Sequence, residues 1–190
     1  MTDNEQERTI NGEEMTDNEQ EVGYIKTATH NYVSRQAIVS NPSKVELKGK
    51  SVLKPGVNIR GDLAVIRIGR YCIIEERSDI SPPPLGGKNI PVVFRGNIVV
   101  GMDCKIEASA IGTNVFIGPN TKIGSRCIIK DCCWIEAGTV LGKDTVIPPF
   151  SRVKGDPGRV IETLPPSAGL GLQELAQTTY LDFLSTHPST

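Results

Sequence analysis

The sequence predicts an all-β fold, a single-stranded parallel β-helix of hexapeptide repeats with one C-terminal α-helix. Three observations predict it. An aliphatic residue recurs at every sixth position, a small side chain lies two positions before most of them, and glycine directly follows four of the eight. The aliphatic residues are Ile111, Ile117, Ile123, Ile129, Ile135, Leu141, Ile147 and Val153, and the small ones are Val115, Thr121, Cys127, Cys133, Thr139, Thr145 and Ser151. A six-residue period does not fit the 3.6-residue period of a helix.

Each hexad is read as one short strand and one turn. Alternate side chains of a strand face opposite sides, so the small residue and the aliphatic residue both point inward and the residue between them points outward. Glycine after the aliphatic residue permits a tight turn, where a side chain would crowd the backbone. Three hexads then form a triangular coil of roughly 18 residues whose aliphatic side chains stack into a narrow core.

The period also extends upstream, with irregularities. The upstream aliphatic positions are Ile68, Ile74, Ile80, Val100 and Ile106. Because Ile111 follows Ile106 after only five positions, one turn is short by a residue. Segment 81–94 is rich in proline and glycine and is predicted to be a loop inserted into the coil. Residues 45–66 are predicted to form an earlier, degenerate coil.

The chain of 190 residues divides into three parts. Residues 1–23 are predicted to be a disordered acidic leader, 24–162 the β-helix, and 163–190 a linker and the C-terminal helix. Residues 1–21 hold eight acids and one base, a net charge of −7 within a total of −1, so the rest of the chain carries +6. The excess of basic residues is small, and they are mixed with acidic residues, so the charge pattern does not indicate nucleic-acid binding. The heptad of 1–7 recurs at 15–21, which suggests a duplicated leader, an alternative start at Met15 or a functional acidic tail.

Helical spacing marks the C-terminal part. Apolar or neutral residues fall at 172, 175, 176, 179, 180 and 183, after a linker that contains Pro165, Pro166 and Gly169–Gly171. We expect this helix to lie on the coil and to cover one of its faces.

Cysteine usage and hydropathy indicate a cytoplasmic protein. Three of the five cysteines occupy inward positions, and no Cys-x-x-Cys pair is present, so neither a disulfide nor a metal site is expected. No apolar run reaches 18 residues and the N-terminal segment is not a secretory signal, so no membrane insertion is expected.

Several stretches resemble a known family. Arg60-Gly61-Asp62, followed by Val65 to Gly69, resembles the opening of γ-class carbonic-anhydrase-like hexapeptide proteins, which wind left-handed. The run from Tyr24 to Leu184 resembles the dynactin subunit 5 family more closely, in Val33-Ser34-Arg35-Gln36, Ile59-Arg60-Gly61-Asp62-Leu63, Ile129-Lys130-Asp131-Cys132-Cys133, Val146-Ile147-Pro148-Pro149-Phe150 and the helical tail.

The resemblance implies a left-handed β-helix and a scaffold role. Dynactin is the cofactor of cytoplasmic dynein, a microtubule motor, and the resemblance implies a place in its pointed-end complex. The implied partners are a second β-helix subunit, an actin-related protein and a larger zinc-containing subunit, together with dynein cargo adaptors. The implied location is the microtubule-associated cytoskeleton.

Enzymatic alternatives lack the required residues. A γ-class carbonic anhydrase holds its metal with three histidines, and the matching positions here are Pro119, Gly124 and the neighbourhood of Ser81. The chain's two histidines, His30 and His187, lie outside the regular coils. A hexapeptide acyltransferase would also need a general base. No catalytic residue, metal or cofactor is therefore expected. The alternatives are an enzyme of either kind with a lost or displaced site, or a homotrimeric hexapeptide protein of unknown role.

Interface candidates come from the outward positions. Residues 18 apart share a face, so Phe116, Trp134 and Arg152 stack on one face, Ile128 and Val146 on a second, and Lys122 and Val140 on a third. Since monomers rarely leave large apolar patches bare, we expect Leu172, Leu175, Ala176 and Phe183 of the helix to cover one face, while the Phe116–Trp134 face docks a partner.

Arg60 and Asp62 are further candidates. They are read as a structural pair joined by charge-assisted hydrogen bonds, or as a subunit contact, while an integrin-type ligand is discounted because it needs an extracellular loop. At the ends of the coil, Pro148, Pro149 and Pro157 predict that the last coil (147–162) is closed. The first coil (33–60) is then the better candidate for end-on stacking with a second β-helix.

Overall fold

The computed structural model describes residues 23–187, so the predicted disorder of 1–22 lies outside the described residues. The chain forms short strands wound into a parallel β-solenoid, followed by one helix. The strands are β1 Tyr24–Lys26, β2 Tyr32–Ser34, β3 Ile38–Ser40, β4 Val45–Leu47, β5 Val52–Leu53, β6 Asn58–Arg60, β7 Ile66–Ile74, β8 Asp79–Ile80, β9 Pro84–Leu85, β10 Lys88–Asn89, β11 Val92–Val100, β12 Lys105–Ile106, β13 Ala110–Ile117, β14 Lys122–Ile123, β15 Ile128–Ile129, β16 Trp134–Ile135, β17 Val140–Leu141, β18 Val146–Ile147, β19 Ser151–Gly155 and β20 Gly158–Thr163; the helix is α1 Ala168–Thr186.

The strand registers confirm the predicted coil. One column of inward residues runs through all the turns, along Val33, Leu53, Ile74, Val100, Ile117, Ile135 and Val153, in steps of 20, 21, 26, 17, 18 and 18 residues. The 17-residue step is the turn predicted to be one residue short. The steps of 20 and 21 include the degenerate early coil. All eight hexad aliphatic residues are buried.

The inserted loop is shorter than predicted. It contains a small antiparallel hairpin, β9 and β10, and explains the 26-residue step. However, Val92, Val93 and Phe94 belong to β11, and Phe94 is 1 % exposed in the core. Strand pairing with β7 and β13 on both sides holds these residues in the sheet, a tertiary effect that the proline-rich local pattern conceals.

Crowding by the next coil explains the glycines that follow three of the hexad aliphatic residues, Ile111, Ile117 and Ile123. A Cβ at Gly118 would lie 2.5 Å from the amide nitrogen of Ala137 in the next coil, and one at Gly124 would lie 2.7 Å from the carbonyl oxygen of Leu141. At Gly142, which follows the terminal strand β17 of its sheet, the nearest atom would be 4.0 Å away. The turn geometry itself is carried three positions after each aliphatic residue, where φ is positive at Asn114, Asn120, Arg126, Cys132, Gly138, Asp144 and Phe150.

The two ends of the solenoid differ. At the C-terminal end, β20 folds back antiparallel on β19, and Gly158 packs against Leu141 and Thr139. Residues 158–162 are therefore a closing strand rather than a further turn of the coil. At the N-terminal end, β1 pairs antiparallel with β2, while β3 and β4 are the terminal strands of their faces. Inward residues of this first coil are only half-buried, among them Val33, Ala37, Val39, Val45 and Leu47.

The helix is longer than predicted. It begins at Ala168, so Gly169 and Gly171 lie in its first turn and not in a linker. Gly169 is buried against the solenoid, where a Cβ would lie 2.9 Å from the Cys132 sulfur. Close contact therefore explains a glycine that the sequence pattern assigned to a loop. No helix within residues 23–187 has the length and apolarity needed to cross a membrane.

Candidate protein-interaction surface

The solenoid presents three columns of outward side chains. The first column is Tyr32, Val52, Ile73, Val99, Phe116, Trp134 and Arg152. The second column is Ile38, Asn58, Asp79, Lys105, Lys122 and Val140. The third column is Glu46, Arg67, Val93, Ala110, Ile128 and Val146. These registers confirm that Phe116, Trp134 and Arg152 share one face and that Ile128 and Val146 share another.

The helix packs on the first column, which differs from the predicted division of faces. Tyr180 and Phe183 form a buried cluster with Tyr32, Val52 and Ile73, the first members of that column. The Tyr180 hydroxyl donates a hydrogen bond of 2.9 Å to the carbonyl oxygen of His30. Leu172, Ala176 and Phe183 are buried as predicted, whereas Leu175 is half-buried. The pattern concealed this arrangement because the early coils, of 20 and 21 residues, break the 18-residue spacing that was used to find the column.

Phe116 and Trp134 continue the column beyond this aromatic cluster. Their rings lie 4.3 Å apart at the centroids with 32° between the planes, and both side chains are half-buried. The helix begins close by, since Gly169 abuts Cys132 two residues before Trp134. The pair thus forms an apolar step beside the start of the helix, and part of its surface remains exposed.

Arg152 ends the first column within a network of charges. Its Nε donates a 2.6 Å hydrogen bond to Glu136, and its Nη1 lies 3.3 Å from Glu162 on β20. Both contacts raise the pKa of the guanidinium, with the hydrogen bond to Glu136 the larger cause. Because its charge is already paired, Arg152 borders the apolar step rather than offering an unmatched charge.

The third column is uncovered and apolar over four coils. Val93 and Ala110 are half-buried, and Ile128 and Val146 are 37 % and 53 % exposed. The β9–β10 hairpin lies beside this column, because Arg126 donates a 2.9 Å hydrogen bond to the Pro84 carbonyl oxygen.

Arg60 and Asp62 pair with each other within one turn. The guanidinium donates two hydrogen bonds of 2.9 Å to the carboxylate, and the hydrogen bond holds the pKa of Asp62 below its usual range. Gly61 between them is buried, and a Cβ there would lie 2.6 Å from the carbonyl oxygen of Ser40. The geometry matches the structural reading of this pair, and the two side chains do not bridge neighbouring coils.

The positions that would serve an enzyme carry other groups. Pro119 and Gly124 occupy the hexad positions of the metal-binding histidines, and the ring of His187 stacks on Phe183 at 4.4 Å. Within residues 23–187 no group of three or more His, Cys, Asp or Glu side chains is placed to hold a metal ion. Burial raises the pKa of the Cys72 thiol to about 12 and that of the Cys133 thiol to about 11. Both thiols are therefore protonated at neutral pH and pack in the core, whereas a nucleophilic cysteine needs the thiolate form.

Comparison with solved structures gives the class of protein. A hexapeptide transferase family protein from Anaplasma phagocytophilum matches with a TM-score of 0.65 and 17 % identity, over 83 % of this chain and 92 % of the other. A UDP-N-acetylglucosamine acyltransferase from Bacteroides fragilis matches with a TM-score of 0.53 and 15 % identity, over 84 % and 72 %. The fold is thus that of the hexapeptide-repeat β-solenoid proteins.

The family follows from the sequence comparisons. The family model "Dynactin subunit 5" matches residues 11–187. A "Dynactin subunit 5" of Dictyostelium discoideum is 42 % identical over 170 residues, which is 87 % of this chain and 86 % of that protein. A mitochondrial "Gamma carbonic anhydrase 2" of Arabidopsis thaliana is 22 % identical over 75 % of this chain and 51 % of its own length. The chain belongs to the dynactin subunit 5 family.

Proposed function

We propose that this chain is a non-catalytic scaffold subunit of the dynactin pointed end and supports dynein-driven transport by contributing to adaptor binding. The observation that carries the proposal is the family match, which spans both the solenoid and the helix. Dynactin is a multi-subunit assembly, so a member of this family needs surfaces that hold neighbours. On this proposal the protein is associated with the microtubule cytoskeleton.

The distribution of apolar surface supports a scaffold role. The Phe116–Trp134 step and the third column are two separate apolar areas, and the helix leaves the third column bare. Such areas mark protein-interaction sites in soluble proteins, and tryptophan and other aromatic residues are frequent interface anchors. We assign the Phe116–Trp134 step to contact with a pointed-end neighbour, which is either the actin-related protein or the zinc-containing subunit. We assign the third column to contact with an adaptor.

The open first coil supports end-on contact with a second β-helix subunit. Val39 and Leu47 point into the core but are only half-buried, and Ile38 of β3 is 60 % exposed. The terminal strands β3 and β4 have a pairing partner on one side only. A neighbouring coil stacked there would bury the apolar residues and pair the free strand edges.

Substitution of Trp134 tests the step. The tagged chain is purified from its own cells, and the recovered proteins are quantified by mass spectrometry. Trp134→Ala is expected to reduce recovery of the actin-related protein or of the zinc-containing subunit roughly tenfold or more, as for an interface anchor. Leu181→Ala, which removes an exposed apolar side chain from the helix, is the matched control. Normal recovery with Trp134→Ala at normal stability would contradict the assignment.

Substitution of Ile38 tests the open end separately. Ile38→Glu places a charge at the N-terminal end of the solenoid, and Val160→Glu places one at the opposite end, where the side chain is 45 % exposed. We expect the first substitution alone to release a second β-helix subunit from the purified assembly. Release by both variants, or by neither, argues against stacking at the first coil. Isolation of a lone homotrimer that carries one metal per protomer would overturn the scaffold proposal itself.

A further inference from the structure

A basic groove lies beside the helix, at the corner between the third and first columns. Two adjoining cavities of about 570 and 360 Å³ form it, and they share Tyr71 and Gln177 in their linings. The larger is lined by Lys48, Arg70, Arg95, Gly69 and Gly96, and the smaller by Lys26, Lys50 and His30. We call the two together the corner groove.

Charge in the corner groove is of one sign. Five basic side chains line it, and no carboxylate belongs to either lining as far as the described residues show. Lys48 is paired with Glu46 outside the lining, and Lys50 donates a 2.9 Å hydrogen bond to the Tyr71 hydroxyl. Arg70 and Arg95 have no carboxylate within 4.0 Å anywhere in residues 23–187, whereas Arg60, Arg77, Arg126 and Arg152 all have one. Both guanidinium groups are exposed, so they are available to an anion that enters the groove.

The corner groove spans coils that stack closely. At Gly69 a Cβ would lie 1.7 Å from the carbonyl oxygen of Arg95, so the next coil occupies the space beside this glycine. Arg70 is aligned with Gly96, and Gly96 with Thr113, so the lining residues come from three stacked coils. Neighbouring strands are about 4.8 Å apart. Arg70 and Arg95 therefore come from adjacent coils, one residue out of alignment, and Gln177 of the helix lines the same cavity.

Charge density selects among anions. A carboxylate carries one negative charge, whereas a phosphate monoester carries up to about two. A guanidinium also binds phosphate through two parallel hydrogen bonds, which a lysine cannot provide. We propose that the corner groove binds a polyphosphorylated inositol ring, either as a free inositol polyphosphate or as a phosphoinositide headgroup.

The proposal is independent of assembly into dynactin and is tested on the full isolated chain. Isothermal titration with inositol hexakisphosphate is compared between the unmodified chain and Arg70→Ala/Arg95→Ala. The control is Lys105→Ala/Lys122→Ala, which removes two cations from adjacent coils of the second column. We expect the arginine variant to bind at least tenfold more weakly and the control to bind normally, with unchanged melting temperatures.

Two further arms separate the sources and the competing ligand. Sedimentation with vesicles containing phosphatidylinositol bisphosphate, but not with phosphatidylserine vesicles of equal charge, would identify the headgroup as the source. Binding of the soluble polyphosphate alone would identify the free form, and either result supports the site. No binding, equal weakening in both variants, or equally tight, arginine-dependent binding of a hexaglutamate peptide would overturn it.

Discussion

Phe183 anchors the helix to the solenoid, and its removal is expected to have a large effect. The side chain is 6 % exposed, and its ring lies 4.8 Å from Tyr24 and 5.3 Å from Tyr32 between centroids. Truncation of a buried phenylalanine to alanine costs about 3–5 kcal/mol. Because Phe183 lies near the end of the helix, where neighbours can relax into the cavity, we expect the lower figure, about 3 kcal/mol.

Thermal unfolding measures this effect. For a chain of this length, each kcal/mol corresponds to roughly 2–4 °C in melting temperature, so Phe183→Ala should melt about 6–12 °C lower. Hydrogen exchange should rise in α1 and in the strands beneath it, β2, β5 and β7. The control is Leu181→Ala, two residues away, whose side chain is 59 % exposed and should change stability by less than about 0.5 kcal/mol.

One outcome would refute the reasoning. If Phe183→Ala melts like Leu181→Ala and its exchange is unchanged, then the aromatic cluster does not hold the helix. Tyr180→Phe gives an internal scale, because it removes only the hydroxyl that bonds to the His30 carbonyl oxygen. That loss should cost about 1 kcal/mol, well below the cost of the phenylalanine truncation.

Three further predictions follow from the same structure. Gly118→Ala should destabilise the protein by about 1–3 kcal/mol in urea unfolding, because the Cβ meets the next coil at 2.5 Å, while Gly142→Ala should be close to neutral; equal effects would contradict the crowding argument. The buried Cys72 and Cys133 thiols should resist iodoacetamide at pH 8, read by mass spectrometry, since burial raises the pKa of both and keeps them protonated; rapid labelling of the native protein would show that the core opens. Arg152→Gln should leave the midpoint of urea unfolding close to that of the unmodified chain, because all three side chains of its ion pairs are partly exposed; a clear drop in the midpoint would mean that the network holds β20 in place.

The sequence by itself determined the solenoid. A strict period of six, with inward small and aliphatic residues, specifies a coil of three short strands per turn, and each hexad contacts mainly its equivalents one coil away. The short turn after Ile106 was predictable for the same reason, because a single missing residue is visible against an exact repeat. The stacking of Phe116 on Trp134 followed from the 18-residue coil. The residues with positive φ also recur at every sixth position, but only four of the seven are Asn, Asp or Gly. Residue type alone is therefore a weak predictor of where these turns lie.

Tertiary structure decided the placement of the helix, the state of the two ends and the corner groove. The early coils have 20 and 21 residues, so no fixed spacing predicts that Tyr32, Val52 and Ile73 lie in line with Phe116. Gly142 and Gly118 look alike in the repeat, yet only Gly118 has another coil packed against it. The cations of the corner groove lie far apart in the chain and become neighbours only when coils of unequal length stack and the helix folds back along them. Local pattern fixes which way a side chain faces, whereas the partner it meets depends on the lengths of the coils between them.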